Sequence, residues 1–358
     1  MSDDLFSRLF ELFNQPGPVN LRLAGEVARH LVGDKVPIDP WSAEEYRELT
    51  RLAEFRIGEV APFPVPPAPD VLPVDSREWA ERNLDGFVYL AEPFSNIVDL
   101  GDLGPGAAMM GQLAPAMVGM QLGTLVGSLA EWVMASFDAG VPVMGEGPIT
   151  YVVPRIDAFA ADHGFETRDV HLWVALHEAC HRAMYRVPFT GEHLSELVDG
   201  FASKLKIGPD TLMELMQGFD PSDPSGGIDP DRVAGMFDNP ESEASRKELE
   251  AFLGLAAGYR RLLVERAAGN LLPGLAELEA RRDEERTLSE AMASSAFAAT
   301  FVQPDAIAAG RGFCEEVAVR FGEDAVRSMW TRQGRFPAAA EIADPTAWAA
   351  RVLLEDLG

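Results

Sequence analysis

Apolar residues recur every three or four positions along most of the chain, the spacing that lays one buried stripe along an α-helix. The pattern predicts helices over residues 5–13, 19–32, 41–60, 76–96, 103–137, 154–162, 170–185, 192–205, 274–292, 305–321 and 345–357. A further long helix opens at Asn239-Pro240, with Asn as N-cap and Pro at the first helical position. One stretch, Ile149-Thr-Tyr-Val-Val153 between Pro148 and Pro154, reads as a strand. The fold class is therefore mainly α with minimal β structure. The prolines between Ala61 and Pro73 demand an extended, semi-rigid connector. They suggest an N-terminal helical segment 1–60, a connector 61–75 and a main helical domain 76–358, unless all of it is one domain. Residues 218–230 are dense in turn formers and read as a surface loop, since their aspartates lack the spacing of a calcium loop.

The helix over 103–137 carries glycines at 111, 119, 123 and 127. Small residues four apart suit close helix packing, within one subunit or between two. Gln112, Gln121 and Glu131 interrupt its apolar surface and favour a buried helix over a membrane span. Its methionines read as core filling.

The helix over 170–185 stands apart. Val170, Val174, His177, His181 and Met184 share one stripe, with Thr167 or Asp169 available to cap the start. Within it lies His177-Glu178-Ala179-Cys180-His181, an H-E-x-x-H pattern. Residues i and i+4 face one way, so both imidazoles can reach a single zinc ion, with Glu178 positioned to act on a water bound to it. The plainer reading is a pair of core histidines satisfied by hydrogen bonds. His171 falls on the opposite side of the helix and reads as surface or structural, and His193 lies in the next segment.

Charge narrows the partners. The formal net charge is −27, from 57 acidic and 30 basic residues of which four are lysine. This argues against nucleic acid and against anionic membranes. Two cysteines, Cys180 and Cys314, provide no disulfide framework and fit a reducing cytoplasm, with Cys180 as a packing residue. The acidic start, Met1-Ser-Asp-Asp, does not read as a signal peptide, and the expected location is cytoplasmic.

Several motifs join the H-E-x-x-H helix in a consistent order: Pro16-Gly-Pro-Val-Asn20, Gly119-Met-Gln-Leu-Gly123, Phe137-Asp-Ala-Gly-Val-Pro142, Leu172-Trp-Val-Ala-Leu-His-Glu-Ala-Cys-His181, and Asp344-Pro345 with Trp348 near the end. In these the chain resembles the actinobacterial zincin-like hydrolases, a mainly helical metallopeptidase-like family, over nearly its whole length. The resemblance implies zinc on His177 and His181, Glu178 as general base, and a peptide or protein substrate. It also implies a third ligand, a glutamate on a later helix, at a position that here matches Ala257 in Leu255-Ala-Ala-Gly-Tyr259. A catalytic zinc normally takes three protein ligands and a water. Glu250, Glu265, Glu196 or Asp199 could complete the set; otherwise the site is degenerate and the protein a non-catalytic binding or scaffold relative. Tyr185 and Tyr259 are candidate donors to an oxyanion, or ordinary packing residues.

Overall fold

A computed structural model describes residues 17–96, 105–205, 240–288 and 304–354. Among these residues the fold is mainly helical, as expected, with one two-stranded sheet. The segments 5–13 and 218–230 lie outside the described residues.

Helix α1 (Leu21–Leu31) is capped by Asn20, whose side chain accepts from the Leu23 N–H. It packs on the long helix α4 (Pro105–Ala130), inside which Pro115 sits without ending it. A Cβ placed on Gly123 would lie 2.4 Å from the Ala24 carbonyl oxygen, so only glycine allows this crossing. The glycine spacing is thus used within the chain. Among the described residues no helix is long and apolar enough to cross a membrane.

The Pro-rich connector ends in a strand that sequence reading missed. β1 (Val71–Val74) pairs in parallel with β2 (Ile149–Val152), Val71 opposite Ile149 and Val74 opposite Val152. Pro73 is tolerated because β1 is an edge strand. β2 is buried along its length and ties three elements together. Tyr151 hydrogen-bonds Thr50 of α2 (Ser42–Gly58), Thr150 accepts from Asn83 at the end of α3 (Ser76–Asn83), and Val152 donates to the Met134 carbonyl.

The single helix expected over 76–96 is broken. It tightens at Leu84–Phe87, gives one turn at Val88–Ala91 and tightens again at Glu92–Asn96. Gly86 explains the first break: its carbonyl accepts from Met144 N–H at 2.9 Å, and a Cβ there would sit 2.3 Å from the Val143 side chain. The helix expected to run to residue 137 ends at Ala130, leaving a short turn at Ser136–Ala139.

The motif helix, α6 (Thr167–Tyr185), follows α5 (Val153–His163) and is largely buried. From Val170 to Met184 every residue but Arg182 is buried. Its N-cap position is Glu166, with no side-chain cap, so neither Thr167 nor Asp169 serves as expected. Pro188 does more than end the motif helix, because α7 (Pro188–Ala202) starts on it.

Both α2 and α8 (Pro240–Ala268) pack against α6. α8 in turn packs on α10 (Pro304–Phe321), where a Cβ on Gly258 would come 2.3 Å from the Arg311 backbone nitrogen. That close seating presses the opposite face of α8 toward the motif helix. α9 (Leu275–Leu288), α11 (Glu323–Thr331) and α12 (Pro345–Leu354) follow, with single turns at Gly269–Leu271 and Ala339–Ile342. α11 was not anticipated from the sequence.

Candidate functional site

Both motif histidines point inward, at 1% exposure for His177 and 6% for His181. Between them, from α8, comes the guanidinium of Arg260. Its Nε donates to His177 Nδ1 at 3.2 Å, and its Nη1 lies 3.1 Å from His181 Nδ1 and 3.3 Å from the Phe137 carbonyl oxygen. Arginine has donors only, so each Nδ1 must accept. Burial, reinforced by Arg260, holds the His181 pKa well below its ordinary value, and burial lowers that of His177. Neutral imidazoles that accept at Nδ1 carry their proton on Nε2. For His177 the Nε2–H donates to Glu279 Oε1, with 2.5 Å between nitrogen and oxygen. His181 Nε2 is buried and has no hydrogen-bond partner among the described residues.

Glu279, from α9, is the site residue that sequence reasoning missed. Burial pushes its pKa up, but His177, Arg261 (3.0 Å) and the Trp173 indole N–H (3.1 Å) outweigh that and hold it well below the carboxylate range. It lies in Ala276-Glu-Leu-Glu-Ala-Arg-Arg282, where nothing local separates it from its neighbouring acids.

Glu178 is 3% exposed and accepts from the Phe137 N–H at 2.8 Å. Burial raises its carboxyl to about 7, against the pull of that N–H, Arg182 and Arg260. Phe137 therefore clamps the motif on two sides, with its N–H on Glu178 and its carbonyl on Arg260. The clamp is anchored by the next residue. Asp138, 0% exposed, pairs with Arg282 and with Arg286 at 3.1 Å, and Arg282 stacks 3.9 Å over Trp132. Burial opposes ionisation of Asp138, but the two arginines win and its pKa is lowered. The Phe137–Pro142 motif is thus part of the site.

A cavity of about 370 Å³ opens beside the motif helix, lined among others by Glu178, His181, Arg182, Tyr185 and Arg186. Ala257 and Arg260, one turn apart on α8, line a small neighbouring void together with His181. The position matched to the third ligand therefore does face the motif, and its side chain is a methyl group.

The other candidates are elsewhere. Glu196, Asp199 and Glu265 are exposed, Glu265 pairing with Arg311, and Glu250 pairs with Arg246. His193 packs against Phe252 and Phe336. His171 is structural: buried, stacked on Tyr46 and bonded to Asp157 at 2.9 Å. Tyr259 stacks on Trp330 in the core. Cys180 is buried and free, its thiol pushed up to about 12 by burial, which fits packing rather than nucleophilic attack.

The fold is mainly helical and is built round a buried helix that carries the H-E-x-x-H pattern. Residues 19–349 match the model of the zincin-like metallopeptidases, and the chain belongs to that family. Its fold is similar to a crystal structure from Chloroflexus aurantiacus described as "a putative hydrolase with a novel fold", with a TM-score of 0.66 and 21% identity over 93% of this chain and 98% of that one. No curated protein matches.

The family implies zinc binding in general, and the donor set can be tested against that. Among the described residues, no three His, Cys, Asp or Glu side chains are grouped to hold a metal ion. The histidine lone pairs at Nδ1 are taken by Arg260, and the remaining nitrogens are N–H groups. A zinc ligand must offer a lone pair. A buried guanidinium between the rings also opposes a dication. In this arrangement the residues do not fit zinc.

Proposed function

We propose that this chain is a ligand-binding member of the metallopeptidase family, its H-E-x-x-H helix held by an internal cation, Arg260, in place of a catalytic metal. The observation that carries this reading is the contact of one guanidinium with Nδ1 of both His177 and His181, with Ala257 at the position matched to the third ligand. The ligand site is then the cavity beside Glu178 and His181, whose volume suits a small molecule or a few residues of peptide.

Elemental analysis of protein purified without chelator tests it. The wild type is expected to hold far less than one zinc per chain, even after incubation with the metal. The double variant Ala257→Glu/Arg260→Ala, which supplies a carboxylate and removes the cation, is expected to gain zinc. One zinc per chain in the wild type, lost in His177→Ala, would refute the proposal.

That refuting result would support the second reading, a zinc-dependent peptide hydrolase with His177 and His181 as ligands and Glu178 as base. Two observations favour it: both imidazoles are neutral, and Glu279 already reaches His177. It requires Arg260 to leave the space between the rings.

A further inference from the structure

Helix α2 carries apolar side chains on two faces. Its inner face, with Tyr46, Leu49, Thr50, Ala53 and Ile57, is buried, and the helix packs on the motif helix α6. On its outer face Trp41 is 83% exposed, Phe55 63% and Leu52 38%, three of the six large hydrophobic residues exposed among the described residues. At about 100° per residue these three fall within about 60° of one another, along a stripe roughly 20 Å long. Single exposed apolar residues need no explanation, whereas several grouped on one face mark a contact surface.

The charges on the same face narrow what it contacts. Arg47 pairs with Glu44, Arg56 pairs with Glu59, and Glu45 lies 3.5 Å from His171 Nδ1. Glu48 and Arg51 are left over. Both are exposed and neither makes an ion pair among the described residues, Arg51 acting on Glu54 through its field alone.

One acid and one base, three residues apart and between Trp41 and Phe55, are complementary to their own reverse. In an antiparallel pair of α2 helices with a two-fold axis between positions 48 and 51, Glu48 of each copy lies opposite Arg51 of the other, and the contact is made twice. The same axis brings Trp41 to the Phe55–Gly58 turn of the second copy. A Cβ on Gly58 would meet nothing within 4 Å, so the indole has room there. Trp41, Glu48 and Phe55 recur at intervals of seven, and such stripes stay in register when two helices cross at about 20°.

A basic partner fits less well, because the arginines of this face already answer its acids although the whole chain carries −27. That net charge repels a second copy at a distance. At physiological ionic strength the repulsion is screened beyond about 8 Å, and the side chains in contact decide the outcome.

We propose that the outer face of α2 is a self-association surface, through which two copies of this chain pair antiparallel, with Glu48–Arg51 contacts at the centre and Trp41 and Phe55 towards the ends. The surface does not depend on what the cavity beside the motif helix binds.

Sedimentation equilibrium on the full chain at physiological salt tests it. The wild type is expected to show a reversible monomer–dimer equilibrium. Phe55→Glu should weaken the dimer at least tenfold, with an unchanged urea midpoint at a concentration where the wild type is monomeric. Glu48→Arg and Arg51→Glu should each weaken self-association at least tenfold. Mixed together, those two variants should form a heterodimer, because each supplies the charge the other lacks. Trp41 gives an independent readout. The other five tryptophans are buried, so the red edge of the emission belongs to Trp41 and should move to the blue as the dimer forms. A monomer at every concentration, a dimer indifferent to Phe55→Glu, or charge variants that stay monomeric when mixed would each overturn the surface.

Discussion

Glu178 should make the protein less stable as the solution turns alkaline, and the size of the effect follows from its surroundings. The carboxyl ionises near 4.5 when unperturbed and near 7 in the fold, because burial strips it of water and a single backbone N–H replaces only part of that hydration. A carboxyl whose pKa is raised on folding favours the native state while protonated. The contribution is complete below about pH 4.5, declines through the interval up to about 7, and is gone above it. The difference between the two values corresponds to about 3 kcal/mol. Glu178→Gln keeps an acceptor for the Phe137 N–H and cannot ionise. Urea denaturation of both proteins from pH 5 to 8.5 gives the test, since every other titrating group, Glu54 included, is common to the two and cancels. The wild type is expected to fall behind the glutamine variant progressively, by about 3 kcal/mol above pH 8. Parallel stability profiles over that range would show that Glu178 is already ionised and solvated in the native protein, and the account of its burial would fail.

Two other expectations follow from packing. Asp138→Asn removes the buried counter-ion of Arg286 and one of the two that pair with Arg282, which keeps Glu285, at a cost of about 3–5 kcal/mol in urea unfolding. The near-ultraviolet circular dichroism should change with it, because Trp132 lies under Arg282. Gly123→Ala forces a methyl group toward the Ala24 carbonyl at 2.4 Å and should destabilise by about 1–3 kcal/mol. Gly200→Ala, in open space on a helix, should be neutral or stabilise by up to about 1 kcal/mol. Equal effects from the two alanines would show that the α1–α4 crossing is looser than described.

The chain's own pattern determined most of the elements. Helical periodicity placed the motif helix, β-branched composition marked β2, and the H-E-x-x-H spacing put His177 and His181 on one buried face. Those features are local, because a period of three to four residues or an alternation of two is set by neighbours along the chain. Breaks and pairings were not legible in the same way. β1 is a strand because β2 lies beside it, and the helix expected over 76–96 breaks where Gly86 meets Val143 and Met144. The constellation round the motif was less legible still. Arg260 is one of two adjacent arginines on a helix, and Glu279 is one of many acids in a charged one; neither carries a local mark. They meet His177 across 83 and 102 residues of sequence. What the histidines hold is decided by which long side chain the packing of α8 and α9 delivers to their nitrogens, and hydrogen bonding and desolvation act on distance in space, where the sequence records only order along the chain.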